Sequence, residues 1–435
     1  MTSAIDVDRR VLVLAVARMA DAVGNSFLIV VLPLLIAGGT VSGAGFGLSE
    51  ALVTGLILSL YGFLNSLGQP ITGRISDRTG RRKRYVLVGL AILTVANLAY
   101  VFAGDYVSLL LIRALQGVGV AFTIPSTIAL INELSTGESR GTNMGLFNTF
   151  RLLGIGLGPI AAGLIIDGGP YSIAVLGVDR ALGGFDAAFY FAAGTVFVSY
   201  VLVALLVSDS EDNEATAAED LSVDVLASDG DKLLDPIFTM GLSALFMAIA
   251  IGLIATLEPI INERLDQHTT WFGVQYGAFV LSQVLLQIPV GSASDRWGRR
   301  PFLLAGLAIL VPATLAQGFV TTSWGMLATR IGQGVSGALV FAPGLALAGD
   351  IANARDSGSK LSVLTMSFGL GTALGPLIAG ALVRFGFVVP FAFGAALAAI
   401  GFLLIYTQVE ETLDGSRDEA DRPIEAADTT PASTD

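Results

Sequence analysis

The sequence predicts an all-α membrane protein in which 12 transmembrane helices form two pseudo-symmetric six-helix bundles. Three observations predict it. The chain is 53% hydrophobic and 14% charged, where water-soluble domains carry about 25% charged residues. Its apolar residues gather in runs of about 20, the length that crosses a hydrocarbon core as a helix, whereas barrel strands would show alternating segments of about ten. GRISDRTGRR at Gly73 to Arg82 returns as GSASDRWGRR at Gly291 to Arg300, each directly after an apolar run. A period near half the chain means duplicated halves, because solenoid periods run from about 20 to 50 residues.

The first bundle, residues 1–208, takes spans 11–37, 51–73, 85–103, 107–132, 144–168 and 186–208. Span two runs into the first repeated string; span four carries RALQG, with Arg113, Gln116 and Gly117; span five carries GIGLGPIAAG. Residues 209–235 hold ten acids against Lys232 alone and are expected to be a solvated acidic linker. The second bundle, 236–409, takes spans 236–262, 272–291, 302–321, 324–349, 363–383 and 387–409. Here RIGQG places Arg330, Gln333 and Gly334, and GTALGPLIAG places Gly371, Gly375, Pro376 and Gly380, each 217 residues after its first copy. The opening strings are 218 apart, and Glu133 and Asp350 keep an acid at corresponding positions. The tail, 410–435, holds nine acids against Arg417 and Arg422 and is expected to be disordered.

Lys and Arg counts set the expected orientation. With the N-terminus inside, 17 of the 24 fall in cytoplasmic segments, three outside and four within spans. Both termini are then cytoplasmic, in the cell membrane. MTSAIDVDRR lacks the pattern of a cleaved signal peptide, so span one is expected to be retained. The acids of the linker and tail account for much of the net charge of −12, and 21 Arg against three Lys give the look of a salt-loving host's protein.

Composition also narrows the chemistry. There is no cysteine and a single histidine, His268, so thiolate and multi-histidine metal sites are ruled out; no nucleophile–base constellation or phosphate-binding loop stands in the sequence. The expectation is a non-enzyme without cofactor or metal, working as a monomer in the bilayer on a small-molecule substrate and a proton or other coupling ion. No nucleic-acid partner is expected.

The paired GxxxDRxGRR strings, six spans per half and an acidic central loop resemble the major facilitator superfamily. The resemblance implies two bundles rocking about a central cavity, which is alternating access. GIGLGPIAAG is similar to the GxxxGPxxGG pattern of the 12-helix drug/proton antiporter branch, with Ala162 departing from it. DAVGNSFLIVVLP, Asp21 to Pro33, is similar to the DxxGxxxxxPxxP stretch of tetracycline-type antiporters, with Val30 in place of the first proline. Arg113 would be the buried arginine of that family's RxxQG motif, assigned to proton transfer with Gln116 beside it, and Arg330 its duplicate; a purely structural, hydrogen-bonded arginine is the alternative for both.

The residues themselves suggest three groups. In the repeated strings, Gly73 and Gly291 would let helices approach, Arg78 and Arg296 would stay at the surface, and Gly80 and Gly298 belong to the same expected gate. Asp77 with Arg81 and Glu133, and Asp295 with Arg299 and Asp350, would pair across the cytoplasmic ends as a gate. Asp77 could also accept from free N–H groups at a neighbouring helix start. A topogenic loop is the plainer reading, but it does not need the repeated acid. Gly154, Gly158, Pro159 and Gly163, with Gly371, Gly375, Pro376 and Gly380, would pack and bend helices.

Charges within spans cost several kcal/mol unless paired or watered. Asp21 stands about 15 Å from the inner surface at ~1.5 Å per residue, with Arg18 one turn away and Arg151 at similar depth. It is expected to be a cavity carboxylate switched by Arg18 or Arg151. Glu258 is a second candidate, or simply an outer helix end. Asn25, Gln283 and Gln287 are candidate cavity polar groups, or helix-to-helix glue. Two functions stay open: proton-coupled efflux of small amphipathic compounds, and symport or exchange of a metabolite anion or sugar, suited by the surplus of buried arginines. A sensor signalling through the acidic segments is a third.

Overall fold

The computed structural model describes residues 8–41, 47–135, 139–175, 178–209, 225–226, 232–351 and 357–412. Most of the expected acidic linker and tail lies outside these residues. The first half contains α1 (Arg9–Ala37), α2 (Glu50–Thr79), α3 (Arg82–Ala99), α4 (Tyr106–Glu133), α5 (Arg140–Gly168), a hairpin of β1 (Tyr171–Val175) and β2 (Val178–Leu182), and α6 (Gly184–Leu206). The second contains α7 (Pro236–Gly252), α8 (Glu258–Arg264), α9 (Thr269–Trp297), α10 (Arg300–Gln317), α11 (Ser323–Ile351), α12 (Ser357–Leu382) and α13 (Val388–Gln408). Among the described residues, twelve helical segments are long and apolar enough to span a membrane, as the sequence predicts.

Local chemistry sets the ends of these helices. The Asp8 carboxylate accepts from Arg10 N at 2.7 Å and starts α1. Asp105 and Ser108 form a reciprocal capping box at the start of α4. Gly80, at φ +66°, closes α2 in the left-handed region, and Gly298, at φ +99°, follows α9.

The structure departs from the expected elements in two places. No element is expected between spans five and six, yet β1 and β2 pair antiparallel there, Tyr171 opposite Leu182. A five-residue alternation is too short to stand out from a loop. Span seven does not run to 262: α7 stops at Gly252, a 3₁₀ turn covers Leu253–Thr256, and α8 is a separate helix. Pro259 cannot donate the N–H that an unbroken helix would need there.

The two halves repeat one packing scheme. α1 packs on α5, α2 and α3 on α4, and α6 on α1 and α3; α7 packs on α12, α9 and α10 on α11, and α13 on α7 and α10. A Cβ at Gly154 would collide with Met19 O and Ala22, and one at Gly371 with Leu245 O and Ala248, so both glycines permit the same close approach. The halves meet through α2 with α12 and α5 with α9. Gly163 lies against Thr270 and Gly380 against Ala51 at this seam, whereas Gly158 and Gly375 stay on α1 and Gly252 within their own halves. α5 and α12 run unbroken through Pro159 and Pro376. We call the face carrying Asp8, Asp209 and Thr412 the terminal face, and the opposite one the far face. The contacts at Gly163 and Gly380 lie toward the far face.

Candidate functional site

Halfway along α1, Asp21 is 1% exposed and forms an ion pair with Arg18, whose side chain is 9% exposed. Asn25 Nδ2 donates to its other oxygen, Oδ1, at 2.8 Å. Spacings of three and four residues put all three side chains on one helix face. Arg18 and Asp21 border a cavity with about 220 Å³ of empty space, mouth included, that is also lined by Thr123 and Thr127 of α4. Arg18 Nε finds no hydrogen-bond partner among the described residues, so the pair is not fully satisfied by them. Arg151 is not the partner of Asp21: its Nε and Nη2 donate to Asn148 Oδ1 at 3.1 and 2.9 Å. An i,i+3 partner on its own helix keeps its guanidinium there.

The other in-span candidates stand apart from this group. Arg113, 2% exposed, donates to Gln116 Oε1 at 3.1 Å and lies over the Tyr61 ring at 5.4 Å. Gln116 in turn donates to Asn97 Oδ1 at 2.5 Å and accepts from Tyr100 at 2.9 Å. The second half repeats this: Arg330 donates to Gln333 at 2.5 Å, Gln333 donates to Thr314 at 3.0 Å, and Arg330 lies 4.6 Å over Phe279. Thr314 is 217 residues after Asn97 and Phe279 is 218 after Tyr61, partners the sequence strings do not mark. Gln283 and Gln287 are half-buried on α9, Gln283 against Gly337 of α11.

Glu258 belongs to the far face, past the end of the spanning segment at Thr256. It is fully buried, and neither carboxylate oxygen has a hydrogen-bond partner among the described residues. Burial raises its pKa well above the ordinary carboxylate value. It is therefore remote from Asp21.

At the terminal face the repeated strings form two ion-pair clusters. In the first, Arg82 and not Arg81 is the bridge: its Nη1 reaches Asp77 Oδ1 at 2.5 Å and its Nε reaches Glu133 Oε1 at 2.8 Å, while Arg81 is exposed. In the second, Arg299 pairs with Asp350 and reaches Asp295 at 3.4 Å. Arg82 and Arg299 are 217 apart, so the bridging arginines follow the spacing of the rest of the chain while the strings align at 218. Each cluster ties helices within one half and does not join the halves. Arg78 and Arg296 are exposed. Gly73 and Gly291 make no close approach: a Cβ would lie 3.6 Å from Pro125 at the first and meet nothing within 4 Å at the second.

Asp77 is not the cap of the next helix, because Arg82 holds it. The cap comes from Asp209, which accepts from Lys83 N at 2.7 Å, and Glu411 does the same for Arg300 N at 2.9 Å. Both follow the last helix of their half by three residues. The acidic runs around them hide this role in the sequence. No group of three or more His, Cys, Asp or Glu that could hold a metal ion stands among the described residues.

A model of the Major Facilitator Superfamily matches residues 14–240 and again 240–432. The class C tetracycline resistance protein of Escherichia coli is 31% identical over 176 residues, 39% of this chain and 43% of that protein. Citrate exporter 1 of Aspergillus niger is 35% identical over 117 residues, 27% of this chain and 22% of that protein. The alignments thus span less than half the length of either relative. A bacterial homologue of the human lysosomal transporter Spinster, inward-facing and unoccupied, shares the fold at a TM-score of 0.68 and 15% identity, covering 92% of this chain and 97% of that one. Two matches to the family model and twelve membrane-spanning helices make this chain a multi-pass membrane transporter, not an enzyme, and it belongs to the Major Facilitator Superfamily.

Proposed function

We propose that this transporter is a proton-coupled antiporter exporting small amphipathic compounds by alternating access, in the cell membrane with the terminal face cytoplasmic. The observation that carries the reading is the Arg18–Asp21–Asn25 group, a buried carboxylate paired with a cation on the same helix face beside a cavity. A carboxylate alternates between proton and cation as a partner approaches or leaves and as water enters or is expelled. Protonated Asp21 releases Arg18; deprotonated Asp21 holds it. Rocking of the halves about the α2–α12 and α5–α9 seams would supply the alternation. The likeness to a tetracycline resistance protein over 39% of the chain supports the same reading.

A second reading rests on one observation: Arg151 donates to Asn148, and no carboxylate among the described residues pairs with it. An arginine held this way suits a carboxylate-bearing metabolite, and a citrate exporter is among the relatives. Reconstituted vesicles under an imposed pH gradient separate the two. Ethidium efflux driven by the gradient, lost in Asp21→Asn while the purified variant keeps the parent's melting temperature, is the expected result. Gradient-driven efflux undiminished in Asp21→Asn removes Asp21 from coupling. Citrate uptake abolished by Arg151→Ala, with no ethidium movement in the parent, establishes the second reading instead.

A further inference from the structure

The cavity beside Asp21 has a counterpart in the second half, and its walls have a different chemistry. The equivalence follows from repeated contacts. Met19 and Ala22 against Gly154 match Leu245 and Ala248 against Gly371, so α1 and α7 correspond at a spacing of 226 while α5 and α12 keep 217. At that spacing Arg18 corresponds to Ala244 and Asp21 to Met247; at 217, Thr123 corresponds to Val340, Thr127 to Gly344 and Arg151 to Phe368. All five of these second-half residues line one cavity between α7, α10, α11, α12 and α13.

That cavity holds about 470 Å³ of empty space, mouth included, against about 220 Å³ for its counterpart. Among the described residues no charged one lines it. Its two hydroxyls donate to backbone carbonyls, Ser243 to Gly401 at 3.3 Å and Thr365 to Ser362 at 3.1 Å. Phe341 and Phe368 meet edge to face at 5.7 Å on one wall, and the flexible thioethers of Met240 and Met247 form another. Thr365 is exposed and marks the mouth, while Ile405 is buried and closes the α13 side. The thioethers of Met240 and Met247 and the rings of Phe341 and Phe368 can shift to admit a guest, and such adaptable walls accept more than one shape.

We infer that this second-half cavity is a binding site for an uncharged apolar group of a small molecule, an aromatic ring or a branched alkyl, admitted as the Met240, Met247, Phe341 and Phe368 side chains shift. If the transported compounds are amphipathic, as proposed above, it is their apolar end that enters here. The assignment of the cavity itself needs no coupling, so it is tested on purified protein without a gradient.

The chain has no cysteine, which makes Ala244→Cys a single reporter thiol on the cavity wall. Relative to an exposed Thr79→Cys control, it should react with benzyl methanethiosulfonate at least tenfold faster than with the trimethylammonium-ethyl reagent. Indole at millimolar concentration should slow the benzyl reaction. Adding Gly344→Leu, whose side chain would enter the cavity, should slow it about fivefold with no change at Thr79→Cys. Val340→Phe is an independent filler should the leucine variant not fold. Equal rates for the two reagents, or no effect of both fillers, would overturn the site. Protection by oleate and not by indole would also overturn it, because the occupant would then be an acyl chain. Failure of ethidium transport in Asp21→Asn vesicles bears on coupling and leaves these labelling results untouched.

Discussion

Equivalent positions in the two halves of this transporter hold an ion pair in one and a thioether in the other. Arg18 and Asp21 stand where the second half has Ala244 and Met247, yet Gly154 and Gly371 seat the neighbouring helices in the same way. The arginine and glutamine of RxxQG, their Asn97 or Thr314 partner and the terminal-face clusters are also kept in both halves. What is duplicated holds helices together; what differs is the lining of one cavity. A helix pair packed backbone to backbone through glycine tolerates this, because its contact does not depend on the side chains one turn away.

The largest expected effect comes from forcing the two cavities to match. Met247 is 1% exposed and no cation among the described residues lines its cavity, so Met247→Asp buries a carboxylate without a partner among them. A buried charge left without its partner costs about 3–5 kcal/mol, read as a marked fall in melting temperature in detergent. Adding Ala244→Arg should recover part of the loss, since the same spacing pairs Arg18 with Asp21. An unchanged melting temperature in Met247→Asp would mean that the second cavity already admits water, and the contrast between the halves would collapse.

A smaller effect separates the two terminal-face clusters. Arg82 has a side chain 5% exposed and bonds two carboxylates and Ser76, while Arg299 is 15% exposed and its partner Asp295 is 60% exposed. Hydrogen bonds to charged groups are worth about 1.5–3 kcal/mol when protected, and exposed pairs about 0–1. Arg82→Gln should therefore lower the melting temperature clearly more than Arg299→Gln, and the Arg299 effect should fade further at high salt. Equal losses at low and high salt would show that solvent exposure does not distinguish the clusters.

How much of this is legible in the sequence depends on how each part is written there. Spans are visible because a helix in lipid must be apolar along about 20 residues, and Asp21 is visible because an acid in such a run is costly. The bridging arginine is misplaced because matching the strings at 218 aligns Arg81 with Arg299, whereas the fold aligns Arg82 with it at 217. The break at Gly252 hides because the residues on either side of it are equally apolar. The second cavity is not legible at all: α1 and α7 share a spacing of 226 and no common string, so only contacts reveal that Met247 stands for Asp21.

The smallest expected effect tests how far the symmetry of the caps extends. Asp209 and Glu411 each sit three residues past a closing helix and each accept from a first-turn amide, Lys83 N at 2.7 Å and Arg300 N at 2.9 Å. Such a carboxylate satisfies one of the free N–H groups at a helix start and meets the positive end of its dipole, together worth about 1 kcal/mol. Asp209→Ala and Glu411→Ala should thus each lower stability by about that amount, and each should speed hydrogen exchange in the first turn of its own helix, α3 or α10, and not in the other. Asp209 reaches the amide on a shorter side chain, so it loses less rotamer freedom in doing so. The α3 effect should be the larger by a few tenths of a kcal/mol on that account. Faster exchange at α10 without any at α3 would reverse the order, and the caps would then belong with the cavities, as a place where the halves have diverged.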